Sequence, residues 1–203
     1  MNNYEYLIAS LPDISAEWKG SEDTTPQALV DWLRDGCSSK DRKTIDFLLK
    51  GFESSSLDAD FYTEALSHGN SFIREYFRYD LNMRNEKVAY LNRQLGRGAD
   101  EDIFMQDERE FDEKPQICSV LESGDILARE KGLDDLMWTK IENLTVFNYF
   151  DIEAILAFIA KLQIIMRWQK LDKETGKQMF ERLVDEVRGS FTGVREAANE
   201  AVK

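Results

Sequence analysis

The acids near the end of the chain are the side chains whose spacing comes closest to a catalytic pattern. Glu181, Asp185 and Glu186 fall at helical intervals, as a helical magnesium-dependent nucleotide pyrophosphohydrolase would require to gather carboxylates on a divalent ion. Arg182 and Arg188 lie close enough to neutralise part of the group, and such clusters commonly form the solvated face of an amphipathic helix. A second constellation lies in mid-chain, where Asp80 and Arg84 are four apart and Asn82 and Asn85 three apart. On a helix these are two neighbouring polar pairs. As a surface salt bridge the first is worth about 0.2–0.5 kcal/mol; at a junction between lobes or between proteins the set would fix orientation instead.

Other chemistry has little material. The single histidine, His68, precedes Gly69 at a predicted helix end, where it is expected to interact with the last carbonyls. With one His and two cysteines, Cys37 and Cys118, 81 positions apart, there is little room for a zinc site or for Cys–His or Ser–His catalysis. Both thiols are expected to be reduced and buried. Gly96-Arg97-Gly98 is too short for a dinucleotide fingerprint, no strand precedes it, and no P-loop occurs. No catalytic, cofactor-binding or metal-ligating residue is assigned, and no cofactor is expected.

Composition narrows the class. The 203 residues hold 26 basic and 39 acidic side chains, a net charge of -13, a field that repels phosphate backbones and argues against nucleic acid as a partner. A hydrophobic content of 42% with 12 Phe, 7 Tyr and 4 Trp supplies a core, and only 11 Gly and 3 Pro argue against an all-β chain. The opening MNNYEYLIASLPD has no basic n-region, so no signal peptide is expected. The sequon at Asn143 and Thr145 then carries no meaning, and a cytoplasmic chain is expected.

Residues 150–170 look like a helix apolar almost all round, yet they carry Glu153, Lys161, Gln163 and Arg167. The longest apolar run there, 154–160, falls far short of the roughly 20 residues a bilayer demands, and a mid-helix lysine is expensive in lipid. The stretch therefore reads as the buried strut of a helical domain, with no direct membrane insertion.

The remaining punctuation is helical. Thr25 and Pro26 predict a helix over 26–35, stopped by Gly36, with Leu29, Val30 and Leu33 inward. Further helices are predicted from Ser39 to Gly51, over 57–67, and from a cap at Asn70 through 71–95 to Gly96. In the last, Ile73, Phe77, Leu81, Val88, Leu91 and Leu95 form one stripe and Phe72, Tyr76, Tyr79 and Met83 a second. Segment 99–114 holds eight acids and reads as a solvated connector; it lacks the alternating ligands of an EF-hand. Helices resume over 115–121, 125–131 and 134–148, the last with Leu136, Met137, Ile141, Leu144 and Phe147 inward. The strut follows, then an amphipathic helix over 173–188 burying Met179, Phe180, Leu183, Val184 and Val187. Only 4–8 shows strand-like alternation. The expected fold is an all-α multi-helix bundle, with lobes 1–98 and 115–203 joined by the acidic connector 99–114. A faint echo at an offset of 71 pairs Asp80 with Asp151, Val88 with Ile159 and Ala89 with Ala160, as a duplication would.

Four segments carry a resemblance: YEYLIASLPD at 4–13, SKDRKTIDFLL at 39–49, YDLNMRN at 79–85 and KLQIIMRW at 161–168. Together they resemble a family of short bacterial proteins encoded among the components of V/A-type ATPases. That family is itself similar to the C-type stalk component of those ATPases, known in eukaryotes as the d-type component. The resemblance spans about 3–190 and implies a non-enzymatic, C-like or accessory subunit. Its implied partners are the V/A-type ATPase central-stalk proteins and the membrane rotor ring, which it would connect from the cytoplasmic side. It also marks Asp80, Asn82, Arg84 and Asn85 as a structural signature rather than an active site. The chain is shorter than the C-type component, so a lobe is expected to be missing or shrunken. The competing readings are a stand-alone pyrophosphohydrolase using the Glu181–Glu186 acids, and a cytosolic scaffold.

Overall fold

A computed structural model describes residues 3–21, 24–99, 101, 103, 105, 109, 111–171 and 176. Among them the chain forms eight α-helices and one 3-10 turn, with no strand beyond an isolated bridge between Ser21 and Thr24. The fold is all-α. After the short α1, Glu5–Ala9, come α2, Pro26–Gly36, and α3, Ser39–Lys50. The 3-10 turn Ser54–Ser56 leads to α4, Ala59–Ser67, and the long α5, Ser71–Gln94. Then follow α6, Lys114–Leu121, α7, Ile126–Leu144, and α8, Ile152–Lys170.

The starts follow local capping chemistry. Thr25 accepts the Ala28 N–H at 3.2 Å, Asp58 the Phe61 N–H at 2.8 Å and Asn70 the Ile73 N–H at 3.2 Å. Each satisfies a backbone donor that the first helical turn leaves unpaired. α3 begins at Ser39 as predicted, and Ser38 caps it, accepting the Asp41 N–H at 3.2 Å. The α5 stop also matches expectation, with Gly96 at φ 69, a left-handed conformation that glycine adopts without a Cβ clash.

Four local expectations need correction. The 4–8 stretch is helical from Glu5 onward, and the Tyr4 hydroxyl donates to Asp41 and accepts the Ser38 N–H, tying α1 to the start of α3. The predicted break after Lys131 is absent, because α7 runs unbroken through Gly132. A Cβ at Gly132 would stand 2.7 Å from a methyl of Val120, so this glycine admits α6 rather than ending a helix. Phe147 does not point inward: α7 stops at Leu144 and the ring is 86% exposed. Leu91 and Leu95 are likewise exposed. Toward its C-terminus α5 turns Glu86, Ala89 and Asn92 inward instead, since its burial there is set by α6 and α7.

The aromatic centre lies where α3, α4 and α5 meet. Phe77 of α5 stands edge-on to Phe61 with centroids 4.9 Å apart, and Phe61 stacks on Phe47 at 5.1 Å. Gly51 makes room for this: a Cβ there would lie 2.2 Å from the Phe77 ring and 3.0 Å from Phe61. Phe77 and Phe61 are both fully buried, each contributing about 1.5–3 kcal/mol.

The chain divides into two compact units, Met1–Ile164 and Ile165–Lys203. In the first, Ile155, Leu156, Ile159, Ala160 and Leu162 of α8 are fully buried, as a strut requires. Its one mid-helix cation is accommodated by partners on α7. Lys161 pairs with Glu142 at 2.9 Å and sits 4.7 Å over the Trp138 ring, while Trp138 Nε1 donates to the same carboxylate at 2.9 Å. These contacts hold Glu142 below the usual carboxylate range, the Lys161 hydrogen bond most of all. In the second unit the described part is the end of α8 to Leu171, with Gly176; the predicted helix over 173–188 lies outside the described residues. Among the described residues no helix is long and apolar enough to cross a membrane.

Candidate functional site

Asp80 stands on α5 at the centre of a polar cluster facing α4. Its Oδ2 accepts the Tyr62 hydroxyl at 2.6 Å and the Arg84 Nε–H at 2.7 Å. Arg84 lies one turn beyond Asp80, so the helix itself brings the pair together. Tyr62 arrives from α4 because its neighbours Phe61 and Ala65 are core residues. The Asp80 side chain is only 15% exposed and Arg84 is 50% exposed. The pair is thus a buried acceptor with one wet donor and one dry one, not a simple surface salt bridge. Burial, then the Asp80 charge, pushes Tyr62 far above the ordinary tyrosine value. Fully buried Tyr76, one turn before Asp80, is pushed up for the same reasons. At neutral pH these phenols are proton donors, not bases or nucleophiles.

The other signature residues separate. Asn85 donates to the Met105 carbonyl at 2.7 Å, and Asn82, half-buried, belongs to neither network. Two turns further on, buried Asn92 donates to the Glu101 carbonyl at 2.5 Å. Phe111 meets Tyr79 edge-on at 5.8 Å and Glu113 pairs with Lys140 at 2.5 Å. The described residues of the acidic segment therefore run back along α5, in the opposite direction, fastened by side-chain amides. Sequence reading misses Tyr62 and Asn92. Nothing local marks Tyr62, whereas Asn92 carries a usable sign: an amide on the inward side of an amphipathic helix must find a partner.

The His68 backbone N–H donates to the Ala65 carbonyl at 3.2 Å, but its side chain does not meet the last carbonyls as expected. Its Nδ1 accepts the Asn70 N–H at 3.0 Å and its ring stacks on Phe47 at 5.0 Å. That geometry suits the neutral ring, and burial lowers its pKa from 6.5. A lowered folded value means that the unfolded chain takes up the proton first as pH falls. His68 thus contributes stability that is full above the unfolded value near 6.5 and declines below it. Urea unfolding followed from about pH 7.5 to about pH 5 should show this decline, and His68→Asn should flatten it; an unchanged slope would remove His68 as its source.

Both cysteines are free, Cys37 buried and Cys118 half-buried. Burial foremost, with the charge of Asp41, pushes the Cys37 thiol up to about 11. Cys118 approaches the buried Glu86 carboxylate at 3.7 Å, which Lys114 pairs at 2.7 Å. Among the described residues no group of three or more His, Cys, Asp or Glu side chains is placed to hold a metal. Glu181, Asp185 and Glu186 lie outside the described residues. The echo pairs unlike positions: Asp80 is mid-helix, while Asp151 precedes α8 and accepts the Ala154 N–H at 3.2 Å.

The described residues thus define an all-α helical protein with a tyrosine–aspartate–arginine cluster joining α4 to α5. Residues 52–190 match the family described as "Protein of unknown function (DUF2764)", and the chain belongs to that family. The match includes the 79–85 and 161–168 segments and leaves 4–13 and 39–49 outside it. No curated protein and no solved structure matches the chain.

Proposed function

We propose that this chain is a non-enzymatic, C-like accessory subunit of a V/A-type ATPase, linking the central stalk to the membrane rotor ring. The observation that carries the reading is the combined likeness of segments 4–13, 39–49, 79–85 and 161–168 to that stalk lineage. A chain built of helices, without a helix long enough to cross a membrane among its described residues, suits a connector that works against a ring without entering it. The Asp80–Arg84 cluster suits it too, because its bonds link α4 to α5 and leave no activated nucleophile. In this role the cluster keeps helices in register under load.

Gently isolated native ATPase particles test the proposal. The chain is expected to co-purify with them and to cross-link to central-stalk proteins. Persistent absence from intact particles would refute it. Magnesium-dependent nucleotide turnover that Glu181→Gln abolishes would replace it with the pyrophosphohydrolase reading.

A further inference from the structure

The start of α6 is fastened differently from those of its neighbours. Helices α2, α3, α4, α5, α7 and α8 each open on a side chain that accepts a first-turn N–H, from Thr25, Ser38, Asp58, Asn70, Asp125 and Asp151. At α6 the capping position is Glu113, and its side chain accepts none. Charge takes the place of the cap. Glu113 and Lys114 are adjacent and opposite in sign, and each finds its opposite on a different helix. Glu113 accepts from Lys140 of α7 at 2.5 Å, and Lys114 pairs with Glu86 of α5 at 2.7 Å. Lys140 also sits 5.2 Å over the Tyr79 ring, which Phe111 meets edge-on.

The other end of α6 is built as a pivot. Arg129 Nε–H donates to the Ser123 carbonyl at 2.5 Å, and a Cβ at the next residue, Gly124, would meet no atom within 4 Å. Between latch and pivot α6 buries only Ile117 and Leu121, whereas α5 buries ten residues. A segment with so few buried contacts opens at a lower free energy than the core. Lys114 is already 56% exposed against 12% for Glu86, so parting them costs less than parting two dry ions. We propose that α6 is a hinged cover, latched by the Glu113–Lys140 and Lys114–Glu86 pairs and swinging about Gly124 while α5 and α7 stay folded. Opening uncovers Ile117, Leu121 and the Glu86 carboxylate together. The inference does not rest on the ATPase reading.

Hydrogen exchange of the full chain, read by mass spectrometry, tests both the cover and its latch. The amides of 117–121 should exchange at least about tenfold faster than those of 72–83 and 133–141, which open only with the core. Phe77→Leu weakens the core and leaves α6 untouched, so it should speed exchange at 72–83 and not at 117–121. For the latch, K140E sets two carboxylates together and E113K two ammonium groups. Each alone should speed exchange at 117–121 about threefold or more. Combined, they restore an opposite pair, and exchange in E113K/K140E should fall below that of either single variant. Parent exchange at 117–121 in step with 72–83, or acceleration of both by Phe77→Leu, overturns the proposal, because α6 then opens only with the core. Additive acceleration in E113K/K140E, or none in either single variant, overturns it by removing the latch. None of these outcomes bears on co-purification with ATPase particles.

Discussion

Replacing Phe77 with alanine is expected to lower the unfolding free energy by about 3–5 kcal/mol, the range for deleting a buried aromatic ring. The upper part of that range applies, because the hole opens beside a residue that cannot help fill it. Gly51 has no Cβ, and the Phe77 ring occupies the space where one would stand, 2.2 Å away. Phe61 also loses its edge-on partner. The same geometry predicts a reversal of sign. Gly51→Ala alone should destabilise by about 1–3 kcal/mol through overpacking. In the Phe77→Ala background it should stabilise, since the added methyl fills space the ring has left. A double-mutant cycle measured by urea denaturation checks this. Additive effects would show that Gly51 is not there to admit the ring.

Asp80→Ala is the second large effect, expected to cost about 2–4 kcal/mol. The change removes an ionised acceptor and takes from the buried Tyr62 phenol its hydrogen bond to Asp80; a hydrogen bond to a charged group is worth about 1.5–3 kcal/mol. Arg84 softens the total because it is half exposed and rehydrates. The expected order is therefore Asp80→Ala worst, Tyr62→Phe at about 1 kcal/mol, and Arg84→Met below that. A loss for Arg84→Met as large as that for Asp80→Ala would make the Arg84 bond, not the Tyr62 bond, the important one on Asp80. Titration gives an independent readout. The folded value of Tyr62 is raised by burial and then by Asp80. It therefore contributes stability that is full below the ordinary tyrosine value of about 10 and is lost as pH rises above it. Asp80→Asn removes the charge, so tyrosinate absorbance should appear at lower pH than in the parent protein.

What can be read from the sequence is whatever is decided within one or two helical turns. Thr25 with Pro26, Asn70 and the Asp80–Arg84 pair are local, and the structure realises each. The strut over 150–170 is legible because its apolar residues surround the helix, so no choice of face is needed. Errors arise where distant chain sets the outcome. Gly132 carries the local mark of a helix breaker, and only the approach of Val120 explains it. Phe147 continues the apolar spacing of α7, but the helix stops three residues earlier. The inward face of α5 toward its end cannot be chosen without knowing where α6 and α7 lie. Half of the polar cluster is visible, and its buried half is not, because Tyr62 lies 18 residues before Asp80.

The hold on the acidic segment has a consequence for how its charges can vary. The amides of Asn85 and Asn92 grip backbone carbonyls at Met105 and Glu101, and neither group titrates or attracts counterions. Salt that weakens surface ion pairs leaves these two fastenings intact, and so does acid that neutralises carboxylates. Every side chain of that segment can therefore change sign without releasing it at these points. The most charged stretch of the chain is thus held at two points by bonds that carry no charge, and at its end by the Glu113–Lys140 ion pair, so only the last of these fastenings is sensitive to salt and acid.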